Sequence, residues 1–66
     1  MNPSWTALVT GSSIAPPANE RRAIAERLGV IGNEWSVGVL EAALSEENDA
    51  SVRDVVWRAL LRLRSA

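Results

Sequence analysis

The feature that most constrains this chain is a self-match at a spacing of 32 residues. Shifting the sequence by that spacing superposes Arg21 on Arg53, Ile24 on Val56, Leu28 on Leu60, Ile31 on Leu63 and Leu8 on Leu40. Self-similarity at a period of this length is typical of repeat architectures, in which one helical unit stacks on the next. The sequence therefore indicates a helical repeat rather than a fold without internal symmetry.

Helix start and stop signals divide the chain into four segments. Asn2 followed by Pro3 is a start signal, Asn33 and Asp49 are N-cap residues, and Gly32 suits the end of a helix. We predict an all-α fold with helices over residues 3–10, 18–31, 34–45 and 50–64 and no strand. The apolar stripes predict a buried set made of Ile24, Leu28, Ile31, Val37, Leu40, Leu44, Val52, Val56, Leu60 and Leu63.

Length and composition restrict the class of protein. The 66 residues suffice for one domain, residues 1–66, with an apolar content of 47%, which is typical of a globular protein. There is no cysteine and no histidine, so neither a disulfide nor a Cys/His metal site is expected. The net charge of −1 gives no electrostatic case for nucleic acid or an anionic membrane. Without a long apolar run or a signal-peptide pattern, we expect a cytoplasmic protein.

Two local signatures accompany the turns between helices. Leu28, Gly29, Ile31, Gly32 and Asn33 make up the first, and Ala43, Leu44, Asp49, Val52 and Arg53 make up the second. On these residues, the segment 20–63 resembles HEAT repeats of the phycobilisome-lyase type. The resemblance implies antiparallel helical hairpins in a short α-solenoid fragment, and a non-catalytic role in protein–protein interaction. The chain departs from the family pattern at Gly38, where proline is usual, and at Trp57, where alanine is usual.

The residues offer little to catalysis. There is no Cys, His, Lys or Tyr, and no glycine-rich phosphate loop, so we predict no enzyme activity, no cofactor and no metal site. The acidic run from Glu46 to Asp49 lacks the glycine and the spacing of a calcium-binding loop. We interpret it as a solvated turn whose last residue caps a helix.

A helix-turn-helix protein that binds DNA is the alternative function. Ile24, Leu28 and Gly29 have the spacing of the first helix and turn of that motif. The second helix would then read the bases, but it has no arginine or lysine, and Glu34 would repel phosphates. We therefore rank nucleic-acid binding below protein interaction.

The strongest functional signal is apolar surface that lies off the main helical stripes. Trp35 and Val39 lie on one such stripe, and Trp57 and Leu61 lie on another. We predict that these four residues bind a protein partner, either a second copy of this chain or a larger protein. In the alternative, Trp5 or the connector 11–17 covers one of the two stripes.

Overall fold

A computed structural model describes residues 4–65 of the chain. Within that range there are four helices, α1 (Ala7–Thr10), α2 (Ala18–Ile31), α3 (Glu34–Glu46) and α4 (Ala50–Arg64), and no strand. The all-α prediction is confirmed, and of the three long helices only α3 differs from its predicted bounds, by one residue at its end. The start signal at Asn2 and Pro3 lies outside the described residues, and α1 is a single turn.

The predicted caps form and explain where the helices begin and end. Gly32 adopts φ 64°, and its N–H donates to the carbonyl oxygen of Leu28 at 3.1 Å, so α2 ends in a left-handed residue. The Asn33 side chain accepts a hydrogen bond from the Ser36 N–H at 2.8 Å. Asp49 Oδ1 accepts from the N–H groups of Ser51 and Val52 at 2.9 and 3.2 Å. The chain therefore reverses sharply before α3 and again before α4.

The three long helices pack against one another, and α2 and α4 form the largest contact. These two helices run parallel, since Arg22 Nη1 donates to Ser51 Oγ at 2.7 Å while Gly29 faces Ala59 one to two turns further along both helices. A Cβ atom on Gly29 would lie 3.0 Å from the Ala59 Cβ. The absence of that atom lets the two helices approach closely.

The core lies between the three long helices and is closed by the segment before α1. It consists of Trp5, Ala25, Leu28, Val39, Leu40, Ala43, Val52, Val56, Ala59 and Leu60. Five residues of the predicted buried set belong to it, and Ile24, Val37, Leu44 and Leu63 are half-buried against it.

The prediction that Ile31 is buried is wrong, because its side chain is 53% exposed. The N-terminal segment is anchored near Arg21, at the start of α2. Ile31 is ten residues further along, about 15 Å away at the helical rise of 1.5 Å per residue. The last turn of α2 therefore lies beyond the reach of that covering segment.

Candidate interaction surface

Two large apolar side chains lie side by side on the outer surface of α4. Trp57 and Leu61, one turn apart, are 46% and 48% exposed. A shallow groove of about 370 Å³ adjoins Trp57 and is also lined by Leu44 and Ala50. We call the surface formed by these four residues the α4 face. An ion pair between Arg64 and Glu41 at 3.2 Å links α4 to α3 beside it.

The internal repeat shows what is unusual about this face. The helices α2 and α4 begin 32 residues apart, at Ala18 and Ala50. The residues 32 positions before Trp57 and Leu61 are Ala25 and Gly29, and both are buried. Equivalent positions are thus covered in the first unit and exposed in the second.

Arg21 and Arg53 confirm that the two units are equivalent in structure as well as in sequence. Arg21 Nη1 donates to the carbonyl oxygen of Pro16 at 2.7 Å, just before α2. Arg53 Nη1 donates to the carbonyl oxygens of Leu44 and Glu47 at 2.6 and 3.1 Å, just before α4. Each arginine therefore ties the first turn of its helix to the preceding connection.

Val39 is not part of an exposed surface, so the prediction that it lies on an accessible stripe is wrong. Its side chain is 3% exposed and belongs to the same core cluster as Trp5. The segment before α1 lies along this side of α3, where Ser4 N and Oγ donate to Glu46 Oε1 at 3.0 and 2.8 Å. Of the two alternatives left open by the sequence, Trp5 covering a stripe is the one observed on α3.

Trp35 remains 50% exposed but does not adjoin the α4 face. Glu41, which pairs with Arg64 beside the α4 face, follows Trp35 by six residues. Six residues correspond to about 120° around a helix with 3.6 residues per turn. Trp35 therefore belongs to a separate part of the surface, on the side of α3 that carries the N-terminal segment.

The acidic turn contains a buried carboxylate that sequence reasoning missed. Glu47 is 2% exposed. Its Oε1 accepts from Trp5 Nε1 at 3.0 Å and from Arg21 Nε at 2.9 Å, and its Oε2 accepts from Arg21 Nη2 and from the Asp49 N–H at 3.1 and 3.0 Å. The interpretation of residues 46–49 as a solvated turn is thus wrong for Glu47 and correct for the capping role of Asp49.

The charge of Glu47 is stabilised despite its burial. Burial alone raises the pKa of this carboxyl, but the hydrogen bonds from Arg21, Trp5 and the Asp49 backbone, with the Arg21 charge, outweigh it and lower the pKa below 4.5. A signal for this role was present in the sequence. Glu47 follows Leu40 by seven residues and Ala43 by four, so it continues the buried stripe of α3.

The described residues give the helix-turn-helix and metal interpretations no further support. The Asn33 side chain and the Ser36 N–H are engaged in the cap of α3, and the hydroxyl of Ser36 donates to the Asn33 carbonyl oxygen at 2.9 Å. Between residues 4 and 65, no three carboxylates converge on a position that suits a metal ion. Within the same range, no helix has the length and apolar character needed to cross a membrane.

Comparison with family models, with curated proteins and with solved structures finds no match for this chain. The function is therefore argued from the α4 face itself.

Proposed function

We propose that this chain is a non-catalytic protein-interaction module of the HEAT-repeat type, and that it self-associates through the α4 face. The observation that carries the proposal is the exposure of Trp57 and Leu61 at positions whose counterparts, Ala25 and Gly29, are buried. In a stacked helical repeat, that side of each helix is the one covered by the next unit.

The equivalence of the two units supports the repeat interpretation. The parallel course of α2 and α4, the matched bonds of Arg21 and Arg53, and the close approach at Gly29 are what stacked helical hairpins require. The name of the family rests on the resemblance of the turn signatures. The interaction role rests on the exposed aromatic and aliphatic pair, which is the kind of anchor that dominates binding energy at interfaces.

The size of the face indicates weak, concentration-dependent association. A tryptophan and a leucine that are each about half exposed present roughly 200 Å² of apolar surface. Covering that area stabilises a complex by about 5 kcal/mol gross at ~25 cal/mol per Å². Lost translational and rotational freedom costs about 4–15 kcal/mol. Further contacts beside the α4 face are therefore needed, and association is expected in the micromolar to millimolar range.

The test is the double substitution Trp57→Ser with Leu61→Glu, measured by size exclusion with light scattering. We expect the wild type to gain mass with concentration and the variant to stay at the monomer mass of 7.1 kDa. Because both side chains are about half exposed, the helical circular dichroism is expected to remain unchanged.

Trp35→Ser is the matched control, since it removes an equally exposed tryptophan from another surface. It is expected to leave the association unchanged. A wild type that stays monomeric at millimolar concentration would refute self-association, as would a double variant that associates like the wild type.

A further inference from the structure

The contact between α2 and α4 shows which surface suits the α4 face. On α4, the residues turned towards α2 include Val55 and Ala59, which line a groove with Glu26, and Arg62, whose Nη2 would lie 2.9 Å from a Cβ on Gly29. Their counterparts 32 residues earlier are Ala23, Arg27 and Val30. These three follow the spacing i, i+4, i+7, so they share one side of α2, and all three are exposed. We call this surface the α2 face.

The two faces are the two sides of one kind of contact. Inside the chain, the Ala25–Gly29 side of α2 meets the Val55–Ala59 side of α4. The α4 face is the counterpart of the first side, and the α2 face is the counterpart of the second. Val30, at 83%, has the highest exposed fraction among the large apolar residues that are exposed. The molecule thus presents both halves of its own internal contact to solvent.

We propose that the chain associates head to tail, with the α4 face of one copy covered by the α2 face of a second copy. This rests on the proposed function, and it names the surface of the second copy that binds. Applying the relation between the two units once more places the partner's α2 beyond α4 and parallel to it. Leu61 then packs against Arg27 and Val30 of the second copy, in the way that Gly29 faces Ala59 and Arg62 inside one copy.

The side chains are complementary in size and chemistry. One turn before Leu61, the same relation places Trp57 opposite Ala23 of the second copy, so the largest side chain meets the smallest of the α2 face. The Arg27 side chain is within one turn of that position, and its guanidinium can lie on the indole ring as a cation–π contact.

Leu8 gives a third observation of the same kind. Its counterpart is Leu40, which is fully buried, whereas Leu8 is 59% exposed. In the head-to-tail arrangement, Leu8 of the second copy takes the place beside α4 of the first copy that Leu40 takes beside α2. An apolar contact of this kind adds area that the α4 face alone lacks.

A head-to-tail contact joins two different surfaces, so it does not close as a symmetric dimer does. This difference gives a direct test with two variants. Trp57→Ser with Leu61→Glu removes the α4 face and keeps the α2 face. Ala23→Glu with Val30→Glu removes the α2 face and keeps the α4 face. Both positions of the second variant are exposed on a helix, and the new Glu at 23 precedes Arg27 by four residues, a favourable helical pair.

We expect the wild type to grow beyond a dimer as concentration rises, and each variant alone to stay a monomer. An equimolar mixture of the two variants is expected to form a heterodimer of twice the monomer mass, because one intact face of each kind remains. That heterodimer has no further free faces and therefore stops growing. Sedimentation velocity on the two variants and their mixture measures all three species.

The alternative outcomes separate the two proposals. If the variant at 23 and 30 associates like the wild type while the variant at 57 and 61 does not, the α4 faces pair with each other and the head-to-tail arrangement is refuted. If the wild type is monomeric throughout, both proposals are refuted. Should the variant at 57 and 61 lose its helical circular dichroism, Leu61→Glu alone takes its place in the mixture, with the same result expected.

Discussion

Replacing Glu47 by alanine tests whether the buried carboxylate, rather than the apolar core alone, holds this small domain together. The substitution leaves the Arg21 guanidinium, whose side chain is 13% exposed, without its carboxylate, and leaves Trp5 Nε1 without an acceptor. Removing one partner of a buried ion pair typically costs about 3–5 kcal/mol. A domain of 66 residues has a total free energy of unfolding of about 3–10 kcal/mol, at roughly 0.05–0.15 kcal/mol per residue. Glu47→Ala is therefore expected to remove at least a third of the stability.

Urea unfolding followed by circular dichroism measures this loss, and Glu46→Ala is the matched control. Glu46 is the neighbouring acid and also accepts two hydrogen bonds, both from Ser4, but it is exposed. Its removal is expected to cost less than about 1 kcal/mol, because hydrogen bonds in water-exposed positions contribute little. A Glu47→Ala variant that is no less stable than Glu46→Ala would refute the argument that burial makes this carboxylate structurally decisive.

Two further predictions follow from the turn before α3 and from the pKa of Glu47. Gly32→Val is expected to destabilise the domain by more than about 1 kcal/mol, because Gly32 has φ 64° and a Cβ there would lie 3.0 Å from Leu63 Cδ2. Gly38→Ala is its control and is expected to raise the unfolding midpoint, since a Cβ on this mid-helix glycine meets nothing within 4 Å; an unchanged midpoint for Gly32→Val would show that the turn tolerates a side chain. The pKa of Glu47 is lowered from 4.5 in the folded state, so its contribution to stability is complete above pH 4.5 and is lost as the pH falls through the folded-state pKa. Acid unfolding is therefore expected to be less steep in Glu47→Gln than in the wild type, and identical acid profiles would contradict this.

Local sequence signals were sufficient to predict the helices. Asn33 and Asp49 are side chains that satisfy free N–H groups, and Gly32 is free to adopt a left-handed conformation, so each boundary depends on residues close by. The period of 32 residues placed Leu40 and Leu60 in the core for the same reason, since equivalent positions on equivalent helices face the same way. These features need no knowledge of how the chain returns on itself.

The errors concern positions whose environment depends on a distant segment. Val39 is buried because the residues before α1 lie along α3, and Ile31 is exposed because that segment does not extend to the end of α2. Glu47 is buried because Trp5 and Arg21 meet there from two other parts of the chain, 42 and 26 residues away in sequence. Helical periodicity defines a stripe, but it does not determine which neighbour covers that stripe.

The difference in side-chain size between the two units bears on how copies can stack. Gly29 allows α2 and α4 to approach until its position lies 3.0 Å from the Ala59 Cβ, whereas its counterpart on α4 is Leu61. Ala25 is likewise replaced by Trp57. A second copy therefore cannot approach α4 as closely as α4 approaches α2. Helices that pack through larger side chains stand further apart, towards 10 Å rather than about 8 Å between axes. A head-to-tail assembly would thus alternate close contacts within each copy with wider ones between copies. Because only the wider contacts join separate chains, dilution is expected to separate the copies while each keeps its α2–α4 contact.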